Sequence, residues 1–318
     1  MEETRAVNNK RIITFLLITF ILAYGAELFL IMPIVGSTDE NQAKLAQSLL
    51  SSIVFIPTVA AILTRLLTKE AIMGTNIMLS LNLKRDVKYY ALGWFGTAFM
   101  IIVGAALYFV VFPSQFDPNM EFFMQTMQAQ GGAETITFTN DELKRAMLIQ
   151  ILTSILLSPF LYVIDCFGEE WGFRGYLLPK MLKSFRVVPT LLVSGLLWGL
   201  WYAPLVYLGR IYGIGYAGFP VVGILTMCLF SMALGVLLSY VTIKTGSCLP
   251  AIMCRGVIYG FATISLCFTV KDSYNVLLGP SAYGLIGCAG FIALAVYLTI
   301  QLHKEEEAKI ADGSRTLL

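Results

Sequence analysis

Apolar residues along this chain do not alternate with polar ones; they run in long blocks. Eight blocks stand out, at roughly 12–35, 47–67, 89–112, 146–167, 188–208, 219–243, 248–270 and 282–302. A helix needs about 20 mostly apolar residues to cross a bilayer, so the pattern predicts eight membrane-spanning helices. The first block is too long for a signal-peptide core and lacks a clear small-residue cleavage site, so it counts as a span. The fourth has a defined start: Thr139 and Glu142 fit a capping box, with Lys144 and Arg145 at the membrane edge. No connecting segment is long enough for a soluble domain. The expectation is an all-α, polytopic membrane bundle over residues 1–318, a single integral membrane domain.

Composition agrees. Of 318 residues 57% are hydrophobic and only 13% are charged, against about 25% charged in a soluble domain. That excludes a soluble enzyme and a disordered chain. A net charge of +2 leaves no electrostatic footprint for nucleic acid. Cys166, Cys228, Cys248, Cys254, Cys267 and Cys288 all fall in or beside apolar runs, as small buried residues do, and form no disulfide framework.

The basic residues set an expected orientation. With eight crossings, one side holds Arg5, Lys10, Arg11, Arg65, Lys69, Lys84, Arg85, Lys88, Arg174, Lys180, Lys183, Arg186, Lys244, Lys304, Lys309 and Arg315. The other holds only Lys44, Lys144, Arg145, Arg210 and Lys271. Both termini are therefore expected in the cytoplasm of a multi-pass cell-membrane protein. The segment 113–145 then lies on the outer face. Asp117-Pro118 marks a helix start there and Gly131-Gly132 a stop, with Met120, Phe123, Met124 and Met127 at helical spacing. An interfacial helix is expected, with a substrate lid as the alternative. The run Lys304-Glu305-Glu306-Glu307 reads as a solvated end.

One cluster breaks the apolar rule. Asp165, Glu169, Glu170 and Arg174 stand close together after the fourth span, and ionisable residues at membrane depth point to function. Glu170 and Arg174 are four apart and can pair on a helix. Glu169 points about 100° away from them and is left free, expected to face a polar cavity. Asp165 shares the face of Glu169. Farther on, Arg255 stands about seven residues into the seventh span, too deep to reach water easily, and Tyr259 shares its helix face.

These residues carry a resemblance. Glu169-Glu170-x-x-x-Arg174 followed by Gly175-Tyr176-Leu177-Leu178-Pro179 resembles the first motif of the CPBP family, the CAAX-protease and bacteriocin-processing membrane proteins also called Abi proteins. Trp198-Gly199-Leu200-Trp201-Tyr202-Ala203-Pro204 falls where the family has an aromatic-x-x-x-His motif. Thr245-Gly246-Ser247-Cys248-Leu249-Pro250 is similar to the lead-in to its last motif, His-x-x-x-Asn, which lands on Arg255 to Tyr259. The resemblance covers about 150–262. It implies an all-helical bundle with a polar cavity open toward the cytoplasm. It further implies a glutamate that activates water, and histidines that bind a zinc-like metal or polarise the scissile carbonyl.

Carried over residue by residue, Glu169 keeps the position of that glutamate, with Glu170 and Arg174 behind it. The first histidine position is Tyr202, the second is Arg255, and the asparagine position is Tyr259; the chain's one histidine, His303, is far away in the last span's tail. Tyrosine and arginine are not zinc ligands, so no cofactor and no metal are expected. Arg255 is instead expected to pair with Glu169, with Tyr202 and Tyr259 donating hydrogen bonds.

Two functions then compete. One is a catalytically degenerate member that binds a peptide, a lipidated tail or another membrane protein, in immunity, secretion or regulation. The other is a metal-independent intramembrane endopeptidase with Glu169 as general base and Arg255, Tyr202 and Tyr259 polarising the carbonyl. Pairing with Arg255 weakens Glu169 as a base, which favours the first. A transporter is disfavoured, because the halves show no matched broken helices.

Overall fold

In the computed structural model, residues 2–71, 77–130, 140–270 and 274–313 are described. Fifteen α-helices follow one another among them. They are α1 (Glu2–Gly25), α2 (Glu40–Ser52), α3 (Ile56–Leu67), α4 (Leu83–Ala91), α5 (Thr97–Val111), α6 (Glu121–Gln130), α7 (Asn140–Leu156) and α8 (Ser158–Leu161). Then come α9 (Val163–Glu170), α10 (Leu178–Ser184), α11 (Val187–Trp201), α12 (Ala203–Tyr207), α13 (Val221–Thr245), α14 (Leu249–Phe261) and α15 (Ala289–Ala311). No strand occurs among the described residues, only the isolated bridges Leu79 to Ser247 and Phe116 to Thr269. The protein is a helical membrane bundle.

Among the described residues, five helical runs are long and apolar enough to cross a membrane: Arg5–Ile31, Glu40–Leu67, Leu83–Val111, Val221–Thr245 and Leu249–Phe268. The other three expected spans do not form such runs, for local reasons. The fourth breaks at Pro159, which has no N–H for the helical ladder, and continues as α8 and α9. The fifth is the shorter apolar helix α11, which ends at Tyr202, with Pro204 opening the short turn α12. The eighth starts only at Ala289, and beyond Leu302 its last turns are polar. Thr139, Gly131, Gly132, Lys271 and Arg315, used in the sequence argument, lie outside the described residues, as does the side chain of Met127.

Burial ranks the helices. In α13, 67% of the apolar window is buried, against 28% in the run Arg5–Ile31. Helix α13 is therefore the axis of the bundle, with α11, α14 and α15 packed around it. The outward faces of the remaining helices stay apolar, as in Ile21, Phe29, Phe99, Val110 and Ile164. Such a surface is stable in hydrocarbon and not in water. All six cysteines are free, and five of them are buried.

The segment before α7 is helical, as expected, but its helix does not stand alone. Asp117 accepts from the N–H groups of Asn119 at 2.9 Å and Glu121 at 2.6 Å, and so shapes the turn into α6. Met120 is buried against Leu143 and Met147 of α7, with Phe123 and Met124 beside it.

The acidic end of α15 is also not simply solvated. Glu306 is buried and accepts from the backbone N–H of Val187 at 2.8 Å and from Nε of Arg186 at 3.3 Å. Val187 opens α11, where N–H groups lack partners within the helix and a carboxylate is favoured. Lys244, at the end of α13, pairs with Glu305. The last helix is thus pinned to two others by charges that the sequence displays as an ordinary polar tail. Glu306→Ala should lower stability by about 1–2 kcal/mol. Glu307→Ala, at a half-exposed site, should cost under about 0.5 kcal/mol. Thermal unfolding of both variants in detergent checks this, and equal losses would contradict it.

Candidate functional site

The charged cluster is assembled from three pieces of chain. Glu169 and Glu170 end α9, and Arg174 lies on the π-helical turn Trp171–Leu177 that follows. Trp198 lies near the end of α11, and Tyr202 caps it. Arg255 and Tyr259 stand one turn apart on α14.

Glycines let each of these pieces pack closely on a neighbouring helix. A Cβ on Gly172 would come within 2.5 Å of Pro57, one on Gly199 within 2.6 Å of the Cα of Cys228, and one on Gly256 within 2.5 Å of the Cα of Pro159. Gly168 and Gly172, Gly195 and Gly199, and Gly256 and Gly260 form three pairs of small residues four apart, one on each site-bearing piece. Small residues at such spacing are what close packing of membrane helices uses. Gly199→Ala should therefore cost about 1–3 kcal/mol by overpacking. Thermal unfolding checks it; unchanged stability would mean that α11 and α13 can part without loss.

Glu169 is fully buried and surrounded by donors. One Nη of Arg255 lies 3.1 Å from Oε1 and 3.0 Å from Oε2. The Tyr202 hydroxyl donates to Oε2 at 2.8 Å and the Tyr259 hydroxyl to Oε1 at 2.9 Å. The indole Nε1 of Trp198 donates to Oε2 at 3.2 Å. The same Arg255 nitrogen donates to the Tyr202 oxygen at 2.7 Å, so cation, hydroxyl and carboxylate form a closed ring of contacts. Glu170, also fully buried, accepts from Nη1 of Arg174 at 3.2 Å, and Nε of Arg255 lies 3.6 Å from the same oxygen. Two carboxylates are thereby balanced by two guanidinium groups. Both cations also sit near the Trp198 ring, at 4.1 Å for Arg174 and 4.8 Å for Arg255.

All six residues singled out in the sequence meet here: Glu169, Glu170, Arg174, Tyr202, Arg255 and Tyr259. Asp165 does not join them and is partly exposed. Cys254 is buried with its sulfur 2.8 Å from the Thr97 hydroxyl, taken up by packing. Glu169 was expected to face a polar cavity; its carboxylate is instead engaged on both oxygens by neighbouring side chains. The large side chains at the two histidine positions and the asparagine position fill the region around it.

Two residues were missed. Trp198 touches both arginines and Glu169; its position four before Tyr202, on the same helical face, was the available signal. Glu27 is fully buried in the first span, with neither carboxylate oxygen hydrogen-bonded among the described residues. A lone acid in an apolar run was the signal there.

A zinc-like metal, which the resemblance associates with these positions, does not fit this donor set. Arg255 carries a permanent positive charge and no lone pair for a metal. It occupies both oxygens of the sole carboxylate that the tyrosines share. A cation there would have to displace another cation.

A helical membrane bundle closed around a buried, charge-balanced carboxylate pair is the class of protein that fold and site define. Residues 151–261 match the family described as Type II CAAX prenyl endopeptidase Rce1-like. The matched segment, roughly a third of the chain, spans the whole cluster from Glu169 to Tyr259 and agrees with the resemblance read from the motifs. No curated protein matches the chain.

Proposed function

We propose that this protein is a catalytically degenerate relative of the CAAX-protease-like membrane proteins. It uses the bundle to bind a peptide, a lipidated tail or another membrane protein, in an immunity, secretion or regulatory role. In the proposed placement it is a multi-pass protein with both termini in the cytoplasm. The observation that carries this reading is the state of Glu169. A general base needs a lone pair that a water molecule can reach. Here both oxygens are buried and engaged by Arg255, Tyr202, Tyr259 and Trp198. Arg255 and the tyrosines, which the protease reading needs as carbonyl-polarising donors, are spent on the same carboxylate.

Glu169→Gln separates the two readings in cells. Glutamine keeps the shape and can still accept from the tyrosines and the indole, but it is no base. In cells lacking the native gene, the variant should complement like the wild type when expression and thermal stability are matched. A well-folded Glu169→Gln variant that loses all function while an uncleaved peptide accumulates would overturn the proposal in favour of catalysis.

A further inference from the structure

A second polar site lies away from the Glu169 cluster. A cavity of about 90 Å³ opens between the first turns of α1, the end of α3 and the stretch from the π turn into α10. Its wall carries four cations, Arg11, Arg65, Lys180 and Lys183, against the single carboxylate of Glu70, with the Tyr176 ring beneath. We propose that this cavity binds a phosphate anion at the membrane interface, of the kind an anionic phospholipid headgroup presents.

The cations are held in place before any ligand arrives. Lys180 donates to Glu70 at 2.6 Å, and the Tyr176 hydroxyl donates to its other oxygen at 3.1 Å. Arg11 lies 3.5 Å and Arg65 3.8 Å from the same carboxylate. Arg65 also donates to the carbonyl of Ala71 at 2.7 Å. Arg65 and Lys180 sit over the Tyr176 ring, at 5.0 Å and 4.6 Å from its centre.

Among the described residues that line the cavity, one carboxylate faces four cations. Burial alone would raise the Glu70 carboxyl, but the Lys180 bond and the charges of Lys180, Arg11 and Arg65 outweigh it and hold it below the ordinary value. Glu70 is therefore ionised at neutral pH and already counted. Lys180 is nonetheless pulled below its ordinary value, by burial first and by Arg11 and Arg65 after it, more than Glu70 offsets.

Depth fits the ligand. Arg11 falls near the start of the run Arg5–Ile31 and Arg65 near the end of the run Glu40–Leu67, and α1 packs on α3. Both arginines therefore lie at one end of neighbouring helices, where headgroups lie. Basic pockets between membrane helices at that level bind anionic headgroups, and arginine suits phosphate.

The test uses the full chain in an uncharged detergent. Thermal unfolding is followed during titration with dioctanoyl phosphatidylglycerol, dioctanoyl phosphatidylcholine or inorganic phosphate. Phosphatidylglycerol should raise Tm in a saturable, salt-sensitive manner, and phosphatidylcholine should not. Lys183→Gln and Arg11→Gln should each weaken the apparent affinity roughly fivefold, with Tm in the absence of ligand serving as the folding control. A response to phosphatidylglycerol alone supports the site and makes the source a lipid; an equal response to inorganic phosphate supports it and makes the source a soluble anion. Equal shifts with both lipids, no shift with any anion, or unweakened affinity in both variants would overturn the proposal. None of these outcomes depends on what Glu169 does.

Discussion

Arg255→Ala should destabilise the protein by about 3–5 kcal/mol, the usual loss when one partner of a buried ion pair is removed. The reason is local. Without Arg255, Glu169 keeps two hydroxyls and an indole N–H but loses the cation in direct contact with it, and Glu170 loses its second positive neighbour at 3.6 Å. The loss should be partly reversible. Combining Arg255→Ala with Glu169→Gln removes the orphaned charge, so the double variant should be more stable than the sum of the singles predicts. A coupling of about 0.5–3 kcal/mol is expected from residues in direct contact. Thermal or denaturant unfolding of the two singles and the double in detergent measures it. Additive losses would mean that Arg255 and Glu169 do not interact. Should Arg255→Ala fail to accumulate, recovery of folded protein in the double variant reports the same coupling.

Trp198→Ala should have an effect of the same size, about 3–5 kcal/mol, for a different reason. The side chain is fully buried among the largest in the core. Its removal leaves a cavity between Arg174 and Arg255, whose guanidinium groups approach its ring at 4.1 Å and 4.8 Å. Trp198→Phe separates the ring from the N–H. Phenylalanine keeps an aromatic face for the cations but cannot donate to Glu169. Since Oε2 retains Tyr202 and Arg255, that change should cost only about 1 kcal/mol. Unfolding of the two variants side by side tests the division; equal losses would place the whole effect on the indole N–H.

Much of the cluster was legible because charge inside a membrane is costly. Glu170 and Arg174 stood four apart, and they lie 3.2 Å apart. Arg255, deep in a span, needed a counter-charge, and Glu169 was the uncommitted carboxylate. Tyr202 and Tyr259 followed from motif positions. Trp198 was hidden because an aromatic in an apolar run signals burial whatever its N–H does. The π turn after Glu170 was not legible: it shifts the ladder of backbone hydrogen bonds, and residue type does not encode that register directly. The closure of the site was also invisible, since it depends on how α9, α11 and α14 are seated on their neighbours, and their glycine pairs were not read as contacts with α3, α13 and α8.

The fold was legible in class but not in the breaks within its helices. Hydropathy located every apolar block, but not that Pro159 and Pro204 interrupt the helices of two of them. The tail misled for the opposite reason. Lys304-Glu305-Glu306-Glu307 has the composition of a solvated end, and only the structure places Glu306 at the first turn of α11.

In the proposed function Glu169 is a structural, fully engaged carboxylate and not a base. That role is tested most directly with purified wild type and Glu169→Gln in detergent, each incubated with a farnesylated peptide carrying a CAAX-type C-terminus and followed by mass spectrometry. The peptide should stay intact with both proteins, at the level of a protein-free control. Release of the C-terminal tripeptide by the wild type, lost about 10²–10⁴-fold in an equally stable Glu169→Gln variant, would contradict that role.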